Sequence, residues 1–206
     1  GMPVPRPPVH LLKHGDDVHV VEVQSKTDHT KAMLELADAR LETFRADGLH
    51  GFVFKARSPS CAIGDAPLTN EQGYESGMRS GVFADRIRRS WPELPVISEV
   101  MLMVPDQLER FVARVFALAQ LDAVDGADAL RAFHADHETL LASRVEIVGE
   151  FAEAASAGDV DVYASAFRAA MQPIPDRRDH VRALRHAAGG AVSDAVDAYE
   201  SGRGVL

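Results

Sequence analysis

The chain has 206 residues, of which 46% are hydrophobic and 26% charged, a composition typical of one large or two small globular domains. The formal net charge of −9 argues against a broadly basic surface that binds nucleic acid nonspecifically, and no apolar run approaches the about 20 residues of a membrane helix. The single cysteine excludes an internal disulfide and suits a reducing cytosol, so we expect a cytoplasmic protein without membrane contact.

The first part of the chain alternates between strand-like and helix-like segments. Val18 to Val23 predicts a strand, and Thr30 to Ala46 predicts a helix with apolar residues at helical spacing. Asp28 is placed to cap this helix, and Gly48 to end it. The apolar run from Gly51 to Lys55 has the length and aromatic content of a buried strand.

A segment rich in glycine, proline and polar residues follows, from Asp65 to Ser80, and predicts an irregular, mobile loop. A short helix is then expected from Gly81 to about Trp91, where Pro92 stops it, and a strand from Leu94 to Ser98.

From Pro105 onward the apolar residues follow helical spacing only. We predict further helices over about Asp128–Ala155, Val160–Met171 and Arg177–Tyr199. The predicted organisation is an α/β domain over residues 2–123, with helices flanking a mostly parallel sheet, and an all-α helical domain over residues 124–206.

Cys61 lies in the loop after the strand of Gly51–Lys55. Ligands of open α/β sheets bind at the carboxyl ends of strands, so this thiol is a candidate functional group. The alternative is a small buried hydrophobic residue, because free cysteine is among the most buried residue types.

Five segments resemble the thiouracil desulfidase family, the TudS-like proteins; they are Pro5–Pro8, Thr27–Thr30, Gly51–Cys61, Gly81–Ala84 and Pro92–Val96. The segment from Leu130 to about Ala191 resembles the YbgA-like helical domain that is often fused behind that family. Its landmarks in this chain are Phe133–His137, Gly149, Tyr163 and Arg185–His186.

The resemblance implies an iron–sulfur enzyme that removes sulfur from thiolated uracil, with 4-thiouridine in transfer RNA as the substrate of the fused form. The family's 4Fe–4S cluster is held by three cysteines, which leaves one iron open to the substrate's sulfur. Cys61 matches the third of these ligands and would be a metal-binding residue. Ser58 and Ser60 match hydroxyls beside it, one of which helps with proton transfer or substrate orientation.

The chain departs from the family pattern in its ligands. The family's first two cysteines and an acidic residue precede the Pro-Arg-Pro segment, and this sequence starts at that segment. Cys61 is followed by Ala62, where the family usually has glycine. One thiolate cannot hold a cubane cluster, so we expect no cofactor and no catalysis in residues 1–206 alone.

Two explanations of this departure remain open. The gene start was placed too far downstream, so that the sheet is incomplete and lacks its first strand; or the protein is a degenerate member that retains a binding role. We favour the first, because a domain that opens on proline-rich extended chain lacks a first strand for its sheet. An incomplete sheet would also leave an edge strand, through which a homodimer could form.

A role in binding RNA is the alternative function. Arg178, Arg182 and Arg185 recur at helical spacing and predict a stripe that could bind phosphates of transfer RNA or of a thiolated nucleotide. A solvated face neutralised by nearby aspartates is the competing interpretation. Arg57 in the cysteine loop and a small cluster at Arg86, Arg88 and Arg89 are further candidate contacts.

The helical half also contains candidate contacts. His134, His137 and Glu138 share one helix, so they could grip a nucleotide or hold a metal, although polar residues on an exposed helix face are far commoner than ligand sets. Phe133, Tyr163 and Trp91 could stack on bases, but we expect them in hydrophobic cores.

Overall fold

The computed structural model describes residues 7–141 and 148–171, and the chain divides into two compact units, residues 1–108 and 109–206. The boundary predicted from the sequence lies later, at residue 123. The helix Pro105–Asp122 crosses the division and contributes its buried residues to the second unit. Within the described ranges, no helix is long and apolar enough to cross a membrane.

The first unit contains strands and helices in alternation, as the sequence predicts. Its elements are β1 (Val9–His14), β2 (Asp17–Glu22), α1 (Thr30–Ala46), β3 (Phe52–Phe54), β4 (Ala66–Thr69), β5 (Glu75–Arg79), α2 (Val82–Ser90), β6 (Val96–Ser98) and a short 3₁₀ turn (Met101–Met103).

These strands form two sheets. The larger has the order β2-β1-β4-β5, in which β1 pairs antiparallel with β2 and parallel with β4, while β4 and β5 are antiparallel. The smaller sheet is the parallel pair β3-β6, with Phe52 opposite Val96 and Phe54 opposite Ser98. The α/β class is confirmed. The sheets are mixed, because two of the four strand pairings are parallel and two are antiparallel.

The prediction of an irregular loop over Asp65–Ser80 is wrong, because β4 and β5 form a hairpin there. Its turn is built by Asn70, whose side-chain carbonyl accepts the backbone N–H groups of Gln72 (3.1 Å) and Tyr74 (2.9 Å). Every residue of β5 is exposed, so the strand carries no alternation of apolar and polar residues by which it could be recognised.

Two hydrophobic cores hold the first unit together. One lies between the larger sheet and α1 and contains Leu11, Val20, Met33, Ala62, Ala66, Leu68 and Val82. The other surrounds β3 and contains Leu41, Phe54, Ala84, Ile87 and Leu94. Since α1 and α2 contribute to both cores, they fix the segment that follows β3 relative to both sheets.

The second unit is helical, which confirms the predicted change of class. Its helices are α3 (Pro105–Asp122), α4 (Gly126–Leu141), α5 (Val148–Ala157) and α6 (Val160–Ala170). Their core is aromatic, with Phe133, Phe151, Tyr163 and Phe167 all at most 6% exposed. The single helix predicted over Asp128–Ala155 corresponds to α4 and α5, and residues 142–147 between them lie outside the described residues. The predicted helix Arg177–Tyr199 lies outside them too.

Candidate functional site

The candidate site is the turn that follows β3, from Arg57 to Ala62. Ser58 organises it, because its hydroxyl oxygen accepts the backbone N–H groups of Ser60 (3.3 Å) and Cys61 (3.2 Å), while its carbonyl accepts the N–H of Ala62 (3.0 Å). Serine favours such turns because its short side chain can replace a backbone acceptor. The predicted position of Cys61, at the carboxyl end of a strand, is therefore what the structure shows.

The Cys61 side chain is half-buried and packs against the core around β3. Its thiol donates to the hydroxyl oxygen of Ser60 at 3.4 Å. Ser58 and Ser60 both act as acceptors within the turn, so each hydroxyl proton is left to donate elsewhere. The turn thus brings the three predicted catalytic residues together as one thiol and two O–H donors.

The turn is fixed against the start of α2 by three backbone hydrogen bonds. The N–H groups of Gly81, Val82 and Ala84 donate to the carbonyls of Ala62 (2.9 Å), Pro59 (3.1 Å) and Ser60 (3.1 Å), respectively. These helix-terminal N–H groups would otherwise lack a partner, so the turn acts as the cap of α2. A Cβ atom at Gly81 would lie only 2.3 Å from the carbonyl carbon of Ser60.

Asp65 is a candidate that the sequence analysis missed. One of its carboxylate oxygens accepts the backbone N–H of Arg57 at 3.1 Å, and the other is buried without a hydrogen-bond partner. Arg57 itself is exposed and has a positive φ of 57°, so its N–H is turned inward to this carboxylate. The signal available in the sequence was a carboxylate directly after a glycine, Gly64. In the structure this glycine has a φ of +82°.

The loop is also held from β6. The Glu99 carboxylate, directly after that strand, accepts the backbone N–H of Ala56 at 2.5 Å. Ala62, which stands where the desulfidase family usually has glycine, is completely buried in the core beneath the larger sheet.

A cavity of about 860 Å³ lies in the same unit, beside the start of α2. Its wall includes Gly64, Ser80 and Val82, neighbours of the turn and of the helix start, but not Cys61. Its charged lining is mixed in sign, with Asp16, Asp17 and Asp85 facing Arg79, Arg86 and Arg89. Its volume is in the range of small-molecule pockets.

The arginine cluster on α2 is largely neutralised. Arg86 forms a bidentate pair with Asp38 of α1 (2.6 and 3.0 Å), and Arg89 pairs with Asp85 at 2.8 Å. This arrangement lowers the pKa of Asp38, mainly through the hydrogen bond from Arg86, and raises that of Arg86. Two of the three arginines that could contact phosphates, Arg86 and Arg89, are therefore already paired with carboxylates, which argues against a continuous phosphate-binding surface on α2.

In the helical unit, His134 and His137 both lie on α4 and both use their Nδ1 atoms. His137 donates from Nδ1 to the carbonyl of Phe133 at 2.8 Å, and Nδ1 of His134 lies 3.0 Å from the hydroxyl oxygen of Tyr163. Burial raises the pKa of Tyr163 far above its usual range, so this hydroxyl stays neutral. The two histidines are thus anchored to the aromatic core, while Glu138 is exposed.

The remaining candidates divide into core residues and residues outside the described ranges. Phe133 (6% exposed) and Tyr163 (0%) are buried in the helical core, which confirms their expected packing role. Trp91 is half-buried and packs against the core around β3, with Arg45 over its ring at 5.5 Å. Arg178, Arg182 and Arg185 lie outside the described residues.

The donor set does not fit a 4Fe–4S cluster. The sequence supplies one thiolate, Cys61, and within the described ranges no group of three or more His, Cys, Asp or Glu side chains could hold a metal ion. Iron–sulfur clusters of this type need several thiolates. The turn keeps a cysteine in place but does not itself assemble a cluster site.

The first unit is similar to proteins of known family, whereas the matched segment ends before the second unit. A family model described as 2-thiouracil desulfurase matches residues 1–99, the range that holds the Cys61 turn and the start of α2. Among solved structures, the 4Fe–4S-dependent thiouracil desulfidase TudS is similar over 55% of this chain and 68% of its own, with 27% identity and a TM-score of 0.39. No curated protein matches the chain. Residues 1–99 of this chain are thus similar to the 2-thiouracil desulfurase family.

Proposed function

We propose that the Cys61 turn binds the sulfur side of a thiolated uracil, and that residues 1–206 by themselves release no sulfide from it. One observation carries the proposal: inside the segment that matches the desulfurase family, the turn presents a thiol and two hydroxyl donors on a rigid frame. A thiocarbonyl sulfur is a weak acceptor, which such donors can contact without a charged group.

The rigidity of the frame supports a binding role. The turn is tied to α2 by three backbone hydrogen bonds and to Glu99 beyond β6, so its donors need no ordering when a ligand arrives. Preorganised donors bind more tightly because the entropy cost of fixing them has already been met.

The absence of catalysis follows from the ligands in this sequence. Desulfurisation in the family depends on a cluster, and a single thiolate does not hold one. A cluster on this protein therefore needs thiolates from outside residues 1–206.

The binding proposal is tested by measuring the affinity of the purified chain for 4-thiouridine and for uridine. We expect tighter binding of 4-thiouridine, and the variant Ser60→Ala, which removes one of the two O–H donors, should lose about tenfold in that affinity, the size of one lost hydrogen bond. Ser90→Ala, at the far end of α2, is the control and should bind like the wild type. Equal affinities for the two nucleosides, or an unchanged affinity in Ser60→Ala, would refute the proposal.

We extend the proposal to transfer RNA that carries 4-thiouridine, with Arg178, Arg182 and Arg185 as phosphate contacts. Replacing all three with alanine should weaken RNA binding and lower the salt slope of log K by about 2, since each phosphate contact contributes about 0.7–0.9. A charge-matched control replaces Lys31, Arg40 and Arg131, all exposed. If both triple variants have the same slope as the wild type, these arginines do not contact RNA.

A further inference from the structure

The outer face of the larger sheet carries two histidines that the proposed function does not use. In the antiparallel register of β1 and β2, Leu12 is opposite His19, and His14 is opposite Asp17. His14 and His19 therefore lie on the same face of adjacent strands as diagonal neighbours, two residue pairs apart in the register. Leu11 and Val20 point to the other face and into the core. The two imidazoles are thus neighbours on the face of the sheet opposite to that of Leu11 and Val20.

Each imidazole is oriented by a carboxylate. His14 Nδ1 lies 2.5 Å from a carboxylate oxygen of Glu71, in the turn between β4 and β5, and His19 Nδ1 lies 2.7 Å from one of Asp28, just before α1. A carboxylate is only an acceptor, so both histidines carry their proton on Nδ1. The lone pair of the neutral ring is then on Nε2, the atom that a metal ion would bind.

The Asp28 carboxylate is itself held in place, because its other oxygen accepts the backbone N–H of Thr30 at 2.7 Å. A charged acceptor behind an imidazole fixes the ring and increases the basicity of its other nitrogen, the arrangement typical of histidine metal ligands.

The rings are close enough to share one ion. Their centroids are 6.2 Å apart and their planes are nearly perpendicular, at 83°. The His14 side chain is 72% exposed and that of His19 31%, so small rotations of the rings are open to them. We propose that His14 and His19 bind one divalent transition-metal ion, Zn²⁺ being the probe of choice, through their Nε2 atoms.

Water completes the coordination of this ion. Within residues 7–141 and 148–171, no group of three or more His, Cys, Asp or Glu side chains could hold a metal, so the site has two protein ligands. Imidazole suits zinc, copper and nickel, and a site of two exposed imidazoles exchanges its metal with solvent. The ion would link β1 to β2 and so stabilise the hairpin.

His10 provides a matched control. It lies on the same strand and face as His14, four residues earlier, but burial and the nearby Lys26 lower its pKa. A neighbouring ammonium group repels a metal cation as it repels a proton, so His10 does not belong to the site.

The test is a calorimetric titration of Zn²⁺ into the tag-free full chain, together with NMR of the histidine ring nitrogens. We expect one zinc ion whose binding shifts the Nε2 resonances of His14 and His19. That event should be absent in His14→Gln and in His19→Gln, present in His10→Gln, and about tenfold or more weaker in Glu71→Gln, which keeps the ligands but removes the charge behind one of them.

Two results would overturn the proposal. One is zinc binding that is identical in the wild type, His14→Gln and His19→Gln, which would place the metal elsewhere in the chain. The other is the absence of any zinc-induced shift at the two Nε2 atoms of the wild type, a measurement that does not depend on whether the variants fold.

Discussion

Gly81 joins the cysteine turn to α2, and its lack of a side chain is the reason that the two can touch. Its φ of −65° and ψ of 148° suit any residue, so the requirement for glycine at this position is steric. A Cβ atom would lie 2.3 Å from the carbonyl carbon of Ser60 and 2.5 Å from the backbone nitrogen of Cys61. Both atoms belong to the backbone, which cannot move aside without breaking the hydrogen bonds of the turn.

The variant Gly81→Ala should therefore lower the free energy of unfolding by about 1–3 kcal/mol, as overpacking does, and weaken 4-thiouridine binding with it. Gly149→Ala is the control, because its Cβ would meet nothing within 4 Å and it lies in α5, where alanine is favoured by up to about 1 kcal/mol. Urea unfolding followed by circular dichroism measures both. A Gly81→Ala protein as stable as the wild type would show that the turn and α2 are not in tight contact.

Among the helices and strands, those with apolar residues at regular spacing could be predicted from the sequence. The helix α1 was predicted with its observed bounds, Thr30–Ala46, because Met33, Ala37 and Leu41 recur at helical spacing and are buried. The prediction that Asp28 is the N-cap residue is wrong by one position, because His29 occupies the N-cap and makes no side-chain cap hydrogen bond. The Asp28 carboxylate instead accepts the N–H of Thr30, the first helical residue, at 2.7 Å. Gly48, with φ of +66°, follows the end of this helix as predicted.

Strands were harder, because short strands depend on pairing partners. The strand β1 was not predicted, although β2 and β4 pair with it on both sides. The hairpin β4-β5 was mistaken for a loop, since its turn residues are dense and β5 is exposed throughout. Only Leu11 is buried in β1 and no residue is buried in β5, so neither strand has the alternation of buried and exposed residues by which a strand is recognised.

The start of α6 depends on one side chain. The Asp159 carboxylate accepts the backbone N–H of Val162 at 3.1 Å, which satisfies one of the helix's first N–H groups. Asp159→Ala should cost about 1 kcal/mol of stability, whereas Asp159→Asn, which retains an acceptor, should cost little. Asp161→Ala, in the first turn of the same helix but outside the cap, is the matched control. Equal losses in Asp159→Ala and Asp161→Ala would mean that helix charge, and not the cap, stabilises this end.

For the whole molecule, the candidate site was predictable only in part. The position of Cys61 after a buried strand drew attention to it, and the family resemblance added Ser58 and Ser60. The capping of α2 by the turn and the buried oxygen of Asp65 could not be predicted, because they depend on contacts through space. The resemblance of the second half to YbgA-like domains stays a prediction, since the family match ends at residue 99.

The central claim is the proposed one, that residues 1–206 bind thiolated uracil at the Cys61 turn and hold no iron–sulfur cluster. It is tested most directly by anaerobic reconstitution of the 206-residue chain with iron and sulfide, followed by visible absorption and sulfide release from 4-thiouridine, with a TudS-type desulfidase as the positive control. We predict a colourless protein that binds 4-thiouridine and releases no sulfide. A brown protein that releases sulfide, with both properties lost in Cys61→Ser, would contradict the claim.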